Sequence, residues 1–375
     1  MKVICAPDSF KESLSAVQAA NAMAAGVERA SPGAKIDRCP VGDGGEGTLE
    51  SLLESIEGQR VAAVASDVFG RELETNYGSL AGGRIAFVES AAAIGLATIP
   101  VGERDVMRSS SFGVGQLISS ALDSAAEKVI VGVGGSATND GGCGMAQALG
   151  VRFLDGAGNL IEQPISAAML PDIRQIDATH RTGRLDGMEI VVACDVENPL
   201  TGSHGAAQIY APQKGASDTQ VVLLDDSLQH IADLIRHDLG IDIETNAGAG
   251  AAGGLGGGLV AFTGAKLVSG IDTVLEAVQF SARVRDADLC LTGEGCLDAQ
   301  SLAGKACIGV AKIATAHNVT TVALVGRVGP GAEQTLQAGI TEYVAIGEGL
   351  STEQSIRQAA TLLTNAAESI TRKHR

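Results

Sequence analysis

The chain of 375 residues contains no tryptophan, and aromatic residues of every kind make up only 3% of it. A core built on large rings is excluded, so small and branched aliphatic side chains must fill it. Bases are scarce too: 27 Lys and Arg stand against 44 Asp and Glu, a formal charge of −17. A surface of that sign repels nucleic acid and anionic membranes, so neither is expected as a partner. An anionic substrate would need a local basic site. No apolar run approaches the roughly 20 residues that span a bilayer. The charged residues Asp8, Lys11 and Glu12 break any secretory h-region. The seven cysteines, at 5, 39, 143, 194, 290, 296 and 307, are odd in number and include no C-x-x-C pair. Free thiols in a reducing compartment follow, rather than disulfides or zinc sites, and a cytoplasmic location is expected. There is no internal repeat of fixed period, and nothing fixes an oligomeric state.

Hydrophobic residues make up 45% of the chain and glycine occurs 49 times. That combination suits an α/β protein with tight turns and close helix–sheet packing. The length suggests two domains. The most informative stretch is Lys128 to Gly144. Lys128 to Val133 is a β-branched run that reads as a buried strand. Glycines follow at 132, 134, 135, 141, 142 and 144, and a helical pattern resumes at Met145. Strand, glycine turn and helix are the parts of an anion-binding loop. Ser136, Thr138, Asn139 and Asp140 add side chains that suit a phosphate or a small polar substrate. Close packing alone could also explain such a turn.

Strands are expected at Met1 to Ala6, Ile36 to Val41, Arg60 to Val68, Arg84 to Glu89, Val151 to Leu154, Glu189 to Ala193, Asp288 to Leu291, Thr320 to Val325 and Tyr343 to Ile346. Helices are expected after Ser15, whose spacing to Gln18 is that of a capping box, and at Leu49 to Ile56, Ser109 to Ala126, Ser217 to Leu239, Leu302 to Ala316, Ala332 to Ala338 and Thr352 to Ile370. Alternating strands and helices mean a largely parallel sheet. The expectation is two α/β domains. Residues 1–65 and 280–375 would form a discontinuous Rossmann-like parallel-sheet domain, with a second α/β domain, 66–279, inserted. The active site would lie in the cleft between them.

Several carboxylates fall just past strand ends, where open α/β sheets bind ligands. They are Asp8, with Lys11 beside it, Asp43 and Glu46 in a glycine turn, and Asp195. Paired carboxylates there suit Mg²⁺ or a general base. Lys214 is one of few bases in a long polar loop, and His204 has no partner at metal-ligand spacing. Gly304-Lys305 resembles the end of a P-loop, but Ala299 and Ala306 break the Walker A pattern. Gly132-x-Gly134-x-x-Ala137 with Asp155 fits a dinucleotide fingerprint, which makes an NAD-dependent hydroxy-acid dehydrogenase a competing reading. A non-catalytic small-molecule binding protein is a third.

Seven ordered motifs carry a resemblance. They are Ala6-Pro-Asp-Ser-Phe-Lys11, Asp43-Gly-Gly-Glu-Gly47, Gly134-Gly-Ser-Ala-Thr-Asn-Asp-Gly-Gly142, Cys194-Asp195 with Asn198-Pro-Leu200, Pro212-Gln-Lys-Gly215, Gly250-Ala-Ala-Gly-Gly254, and Thr292-Gly-Glu-Gly295 with Asp298 and Gly304-Lys305. Over its whole length the sequence resembles the type 1 glycerate kinases. One departure is Cys296, where a basic residue is expected. The resemblance implies ATP-dependent phosphorylation of D-glycerate without a Walker A loop. The expected product is 2-phosphoglycerate, with 3-phosphoglycerate as the alternative. ATP and Mg²⁺ are the implied cofactors, and glycerate and ATP the small-molecule partners. Phosphoryl transfer needs positioning, cations on the triphosphate and a base for the hydroxyl. The loops at 134–142 and 253–258 are candidate phosphate cradles, through Gly134, Gly135, Ser136, Thr138, Asn139, Asp140, Gly253 and Gly254, with Lys305 in addition. Asp195, Asp43 and Asp8 are candidates for base or metal ligand, and Asp195 is preferred as base because its strand reads as the most buried. Glu294 and Asp298 are further Mg²⁺ candidates. Lys11, Arg71 or Lys214 would meet the glycerate carboxylate, and Arg71 offers a bidentate fork.

Overall fold

The computed structural model describes residues 1–303 and 305–375; Gly304, part of one of the seven motifs, lies outside the described residues. In chain order the strands are β1 (Lys2–Pro7), β2 (Lys35–Arg38), β3 (Gly58–Ser66), β4 (Glu72–Leu80), β5 (Ile85–Glu89), β6 (Lys128–Gly132), β7 (Arg152–Leu154) and β8 (Gln175–Asp177). They continue with β9 (Glu189–Ala193), β10 (Lys266–Val268), β11 (Leu289–Gly293), β12 (Cys296–Leu297), β13 (Thr320–Val325), β14 (Arg327–Val328) and β15 (Glu342–Ala345). The chain divides into two compact units.

The first unit comprises Met1–Asp43, Glu50–Glu57 and Ser269–Arg375. Its sheet has the order β15-β13-β11-β1-β2, every neighbouring pair parallel. Counted within the unit this is the doubly wound order 2-1-3-4-5, whose direction of winding reverses between β1 and β11. Both faces are covered, which is why β1 and β11 read as unbroken apolar runs. On one face Val3, Cys5, Leu289 and Leu291 pack with Met23, Val27, Leu363 and Ala367 of the helices Ala16–Ala30 and Thr352–Lys373. On the other, Ala323 and Val325 pack with Cys307, Ile308 and Ala311 of the helix Ala306–Ala316. The capping box at Ser15 is present, and Ser217 and Ser351 carry the same device.

The second unit comprises Gly44–Leu49 and Gly58–Val268. Its sheet runs β10-β9-β6-β5-β4-β3, parallel from β10 to β5 and antiparallel through β4 and β3. Strand β4 escaped the sequence reading because Asn76 and Gly78 interrupt it and few of its side chains are buried. It pairs with β3 from Gly58–Leu80 to Ser66–Glu72. That pairing moves the boundary expected after residue 65 to residue 58, since β3 belongs to the second sheet. The other boundary moves from 280 to 269, because Ile271 and Leu275 of the helix Gly270–Ala277 pack against Gly309 of the first unit. The expected helix at Ala332–Ala338 is a 3₁₀ segment, and the one starting at Leu302 begins properly at Ala306.

The helices Ala16–Ala30 and Thr352–Lys373 approach closely at Gly26, where a Cβ would lie 2.2 Å from the Thr364 carbonyl oxygen. Gly26→Ala is expected to destabilise the protein by about 1–3 kcal/mol through overpacking, read by urea unfolding. Gly102→Ala, which meets nothing within 4 Å, should stay within about 0.5 kcal/mol of the parent. Equal stability of the two variants would contradict this packing.

Candidate active site

The first unit gathers its charged residues at the carboxyl ends of β1 and β11, the reversal point of the sheet. Thr292 Oγ donates to the Ala6 carbonyl at 2.8 Å and locks the two strands together there. Asp8 leaves the end of β1, its backbone N–H donating to Gly293 O at 2.9 Å, and its Oδ1 accepts from Ser9 N–H at 2.6 Å. Burial pushes the Asp8 carboxyl up to about 8; the negative charges of Asp43 and Glu294 add to the rise, and Ser9 and Lys11 oppose it. Asp43 is half-buried and Lys11 exposed. All four line a cavity of about 540 Å³ together with Lys305, Cys296 and Arg327.

Glu294 and Asp298 are already engaged. Lys305 Nζ lies 3.9 Å from Glu294 Oε2 and 3.7 Å from Asp298 Oδ1, and Ser301 Oγ donates to Glu294 Oε1 at 2.8 Å. Glu294 is still raised above its usual range, chiefly by burial. An ammonium thus stands beside both of the carboxylates that the sequence reading names as Mg²⁺ candidates. Among the described residues, no group of three or more His, Cys, Asp or Glu side chains is placed to hold a metal ion by itself. Magnesium is commonly held by only one or two carboxylates together with phosphate oxygens. The Asp8–Asp43 pair fits that pattern: its like charges raise the Asp8 carboxyl, which a cation would relieve.

The second unit brings together the glycine turns. Gly253 meets the 134–142 loop so closely that a Cβ would lie 2.0 Å from Thr138 O, and Gly141 N–H donates to Gly253 O at 3.1 Å. Gly254 backs onto Gly141, and Gly134 onto Gly45. Gly135 is exposed, while Ser136 through Asp140 are buried. Much of the glycine content therefore lets backbones touch one another. Asp140, expected to help cradle phosphate, instead sits wholly inside the protein. Its Oδ2 accepts from Ser111 N–H and Ser111 Oγ, both at 2.7 Å, and from Gly144 N–H at 3.2 Å; its Oδ1 accepts from Gly142 N–H at 3.1 Å. This carboxylate organises the loop from within.

The loop's capacity for a ligand lies in three other residues. Lys214, only 3% exposed, reaches back to the loop, its Nζ donating to Thr138 O at 2.7 Å and Ser136 Oγ at 3.4 Å. Burial lowers it to about 7, against the opposing pull of Asp140. Among the described residues, buried Thr138 Oγ1 and both polar atoms of the Asn139 side chain have no hydrogen-bond partner. Buried polar atoms are normally satisfied, so a ligand contributing acceptors and negative charge fits here. Asp195 is half-buried just past β9, whose Ala193 packs on Gly44.

Arg71 is already paired at the surface. It is 74% exposed, ion-paired to Asp67 at 2.6 Å, with its guanidinium over the Phe69 ring. Asp155 closes a surface turn, Oδ1 accepting from Ala157 and Asn159 N–H groups at 2.8 and 2.9 Å, so it is not poised for a ribose. The helix after the central loop starts at Cys143, beyond Ala137, where a dinucleotide fingerprint would begin it. All seven cysteines are free, with Cys194 and Cys296 half-buried. Residues 3–375 match the family model described as glycerate kinase family.

The chain belongs to the glycerate kinase family. It is 43% identical over 371 residues to a glycerate kinase of Bacillus subtilis (strain 168), covering 99% of this chain and 97% of that protein. It is 40% identical over 371 residues to the glycerate 2-kinase of Escherichia coli (strain K12), with the same coverage. The crystal structure described as glycerate kinase 2 from Salmonella typhimurium LT2 is similar with a TM-score of 0.87 at 40% identity, covering 100% of this chain and 98% of that one. The family makes this chain a kinase, which displaces the dehydrogenase and binding-protein readings.

Two supporting residues escaped the sequence reading. Ser111 holds Asp140 and, through its Oγ, accepts from Met145 N–H at 2.9 Å. Glu89, at the end of β5, accepts from Leu49 N–H at 2.8 Å and fixes the start of the helix after the 44–47 turn. A carboxylate one residue before Ser90 at a strand end was the available signal for the second; nothing in local sequence flagged the first.

The raised Asp8 carboxyl has a consequence for stability. Its stabilising contribution is fully present below the ordinary value of 3.8 and is lost as pH rises through about 8. Without divalent cations, the thermal midpoint should carry a falling component over that window that Asp8→Asn removes. Superimposable pH profiles for the two proteins would mean that Asp8 ionises normally.

Proposed function

We propose that this protein transfers the γ-phosphoryl group of ATP to the 2-hydroxyl of D-glycerate, giving 2-phosphoglycerate and ADP. The observation that carries the reading is family membership across nearly the whole chain, and the 2-position follows the relative named as a glycerate 2-kinase. In the first unit, Asp8 and Asp43 would hold Mg²⁺, which neutralises phosphate charge when bound. Lys11 and Lys305 add positive charge on the same cavity. In the second unit, Lys214, Thr138 and Asn139 serve an anionic substrate group, and the glycerate carboxylate suits them. Arrival of that anion favours the charged Lys214 and offers acceptors to Thr138 Oγ1 and Asn139 Nδ2. Asp195 is the proposed acceptor for the hydroxyl proton.

ADP release with D-glycerate and Mg-ATP tests the activity, and phosphorus NMR of the product separates 2- from 3-phosphoglycerate. Asp195→Asn is expected to lower kcat by at least ~100-fold, as loss of a general base typically does, with an unchanged melting temperature. Near-normal turnover would remove it from the reaction. Lys214→Met should raise KM for glycerate at least about 10-fold, the scale of one lost charge-assisted hydrogen bond. A KM change confined to ATP would reassign the loop to the nucleotide.

A further inference from the structure

The cavity beside Asp8 is charged at one end and apolar at the other. Its charged end is walled by the turns after β1 and β11, with Lys11 and Lys305 beside the carboxylates. The opposite end is walled by the residues after β15 and the first turns of the helix Thr352–Lys373, mostly through Ile346, Leu350, Ile356 and Ala359, with Thr352 and Ser355 among them. Two contacts hold this wall in place. Ser13 Oγ donates to Ile356 O at 3.1 Å, and Gly347 N–H donates to Gly326 O at 3.3 Å. The cavity therefore follows the carboxyl edge of the sheet from β1 past β11 and β13 to β15.

None of the roles assigned above uses the apolar end. Glycerate carries a polar group on every carbon and has no apolar face to offer Ile346 or Ile356. A volume of about 540 Å³ also belongs to ligands much larger than a three-carbon acid. Leu350 remains 37% exposed and Ile356 half-buried, so apolar surface there is left for a ligand to cover. A nucleoside triphosphate has the matching asymmetry, anionic at one end with a flat base at the other. Crevices at the reversal point of such sheets are where ligands bind.

We infer that this cavity is the nucleotide site, with the phosphates at Lys11 and Lys305 and the base against Ile346, Leu350 and Ile356. The inference rests on the kinase reading and adds to it the location of the nucleoside. It makes the aliphatic wall after β15 the determinant of ATP affinity, with no part in binding the acceptor.

Because the chain has no tryptophan, Leu350→Trp places a single indole in the cavity of the full-length protein. Mg-ADP and adenosine should each change its emission saturably, and D-glycerate alone should not. A response to glycerate without one to nucleotides overturns the assignment. In the otherwise native chain, Ile356→Glu should raise KM for ATP at least 10-fold and leave KM for glycerate within twofold. An unchanged KM for ATP in a variant that melts like the parent, or a change confined to glycerate, also overturns it. Should Ile356→Glu not fold, Ile356→Asn carries the same comparison. If glycerate is not phosphorylated at all while the indole responds to ADP, the nucleotide site stands and the acceptor assignment is what fails.

Discussion

Like charges held together at the end of a parallel sheet govern the first unit. Asp8, Asp43 and Glu294 converge where β1 and β11 adjoin, the point at which the winding of the sheet reverses. Burial and mutual repulsion make ionised Asp8 unfavourable. Such an arrangement is tolerable when cations share the site. Lys305 already serves Glu294 and Asp298, and Lys11 stands near Asp8. On the function proposed above, the Asp8–Asp43 pair is the place for a divalent ion, because its like charges raise the Asp8 carboxyl and a cation would relieve them. The same reversal that crowds the carboxylates opens the cavity beside them, so electrostatics and topology lead to one location.

The second unit solves a different problem. A glycine-rich turn is often taken to present backbone N–H groups to phosphate, yet here many of those donors are spent internally. Gly142 and Gly144 serve Asp140, Ala137 N–H serves Ile94 O, and Gly141 N–H serves Gly253 O. The glycines permit two loops to lie against each other without Cβ atoms between them. On the function proposed above, ligand chemistry falls to side chains held by that packing: a buried lysine lowered to about 7, and the Thr138 and Asn139 groups that have no partner among the described residues. Asp140 connects the two roles, since it fixes the loop and also supports the charge of Lys214.

Much of this fold was legible because it depends on local pattern. Val3-Ile-Cys-Ala and the run from Lys128 are apolar because both faces are covered, and Ser15 with Gln18 caps a helix by its spacing alone. Strand β4 was not legible, because its partners β3 and β5 supply the order that its own Asn76 and Gly78 do not. Its absence from the reading also misplaced the first domain boundary. The site divides the same way. Carboxylates at strand ends could be named from sequence, whereas their partners could not. Lys214 meets a loop 76 residues earlier in the chain, Ser111 meets Asp140 across 29, and neither spacing leaves a local signature.

Cys296 shows how a departure from a motif can be absorbed by tertiary structure. The motif leads one to expect a base at this position, and the thiol instead lies 3.6 Å from Asp298 Oδ2. In the short pairing of β12 with β14, however, Cys296 stands in register with Arg327, and both line the same cavity. Residues facing each other across neighbouring strands share one patch of surface. A positive charge carried by Arg327 reaches the same wall as one carried at 296 would. Arg327 thus places a guanidinium beside position 296, a neighbourhood set by the pairing of two strands that are distant in sequence.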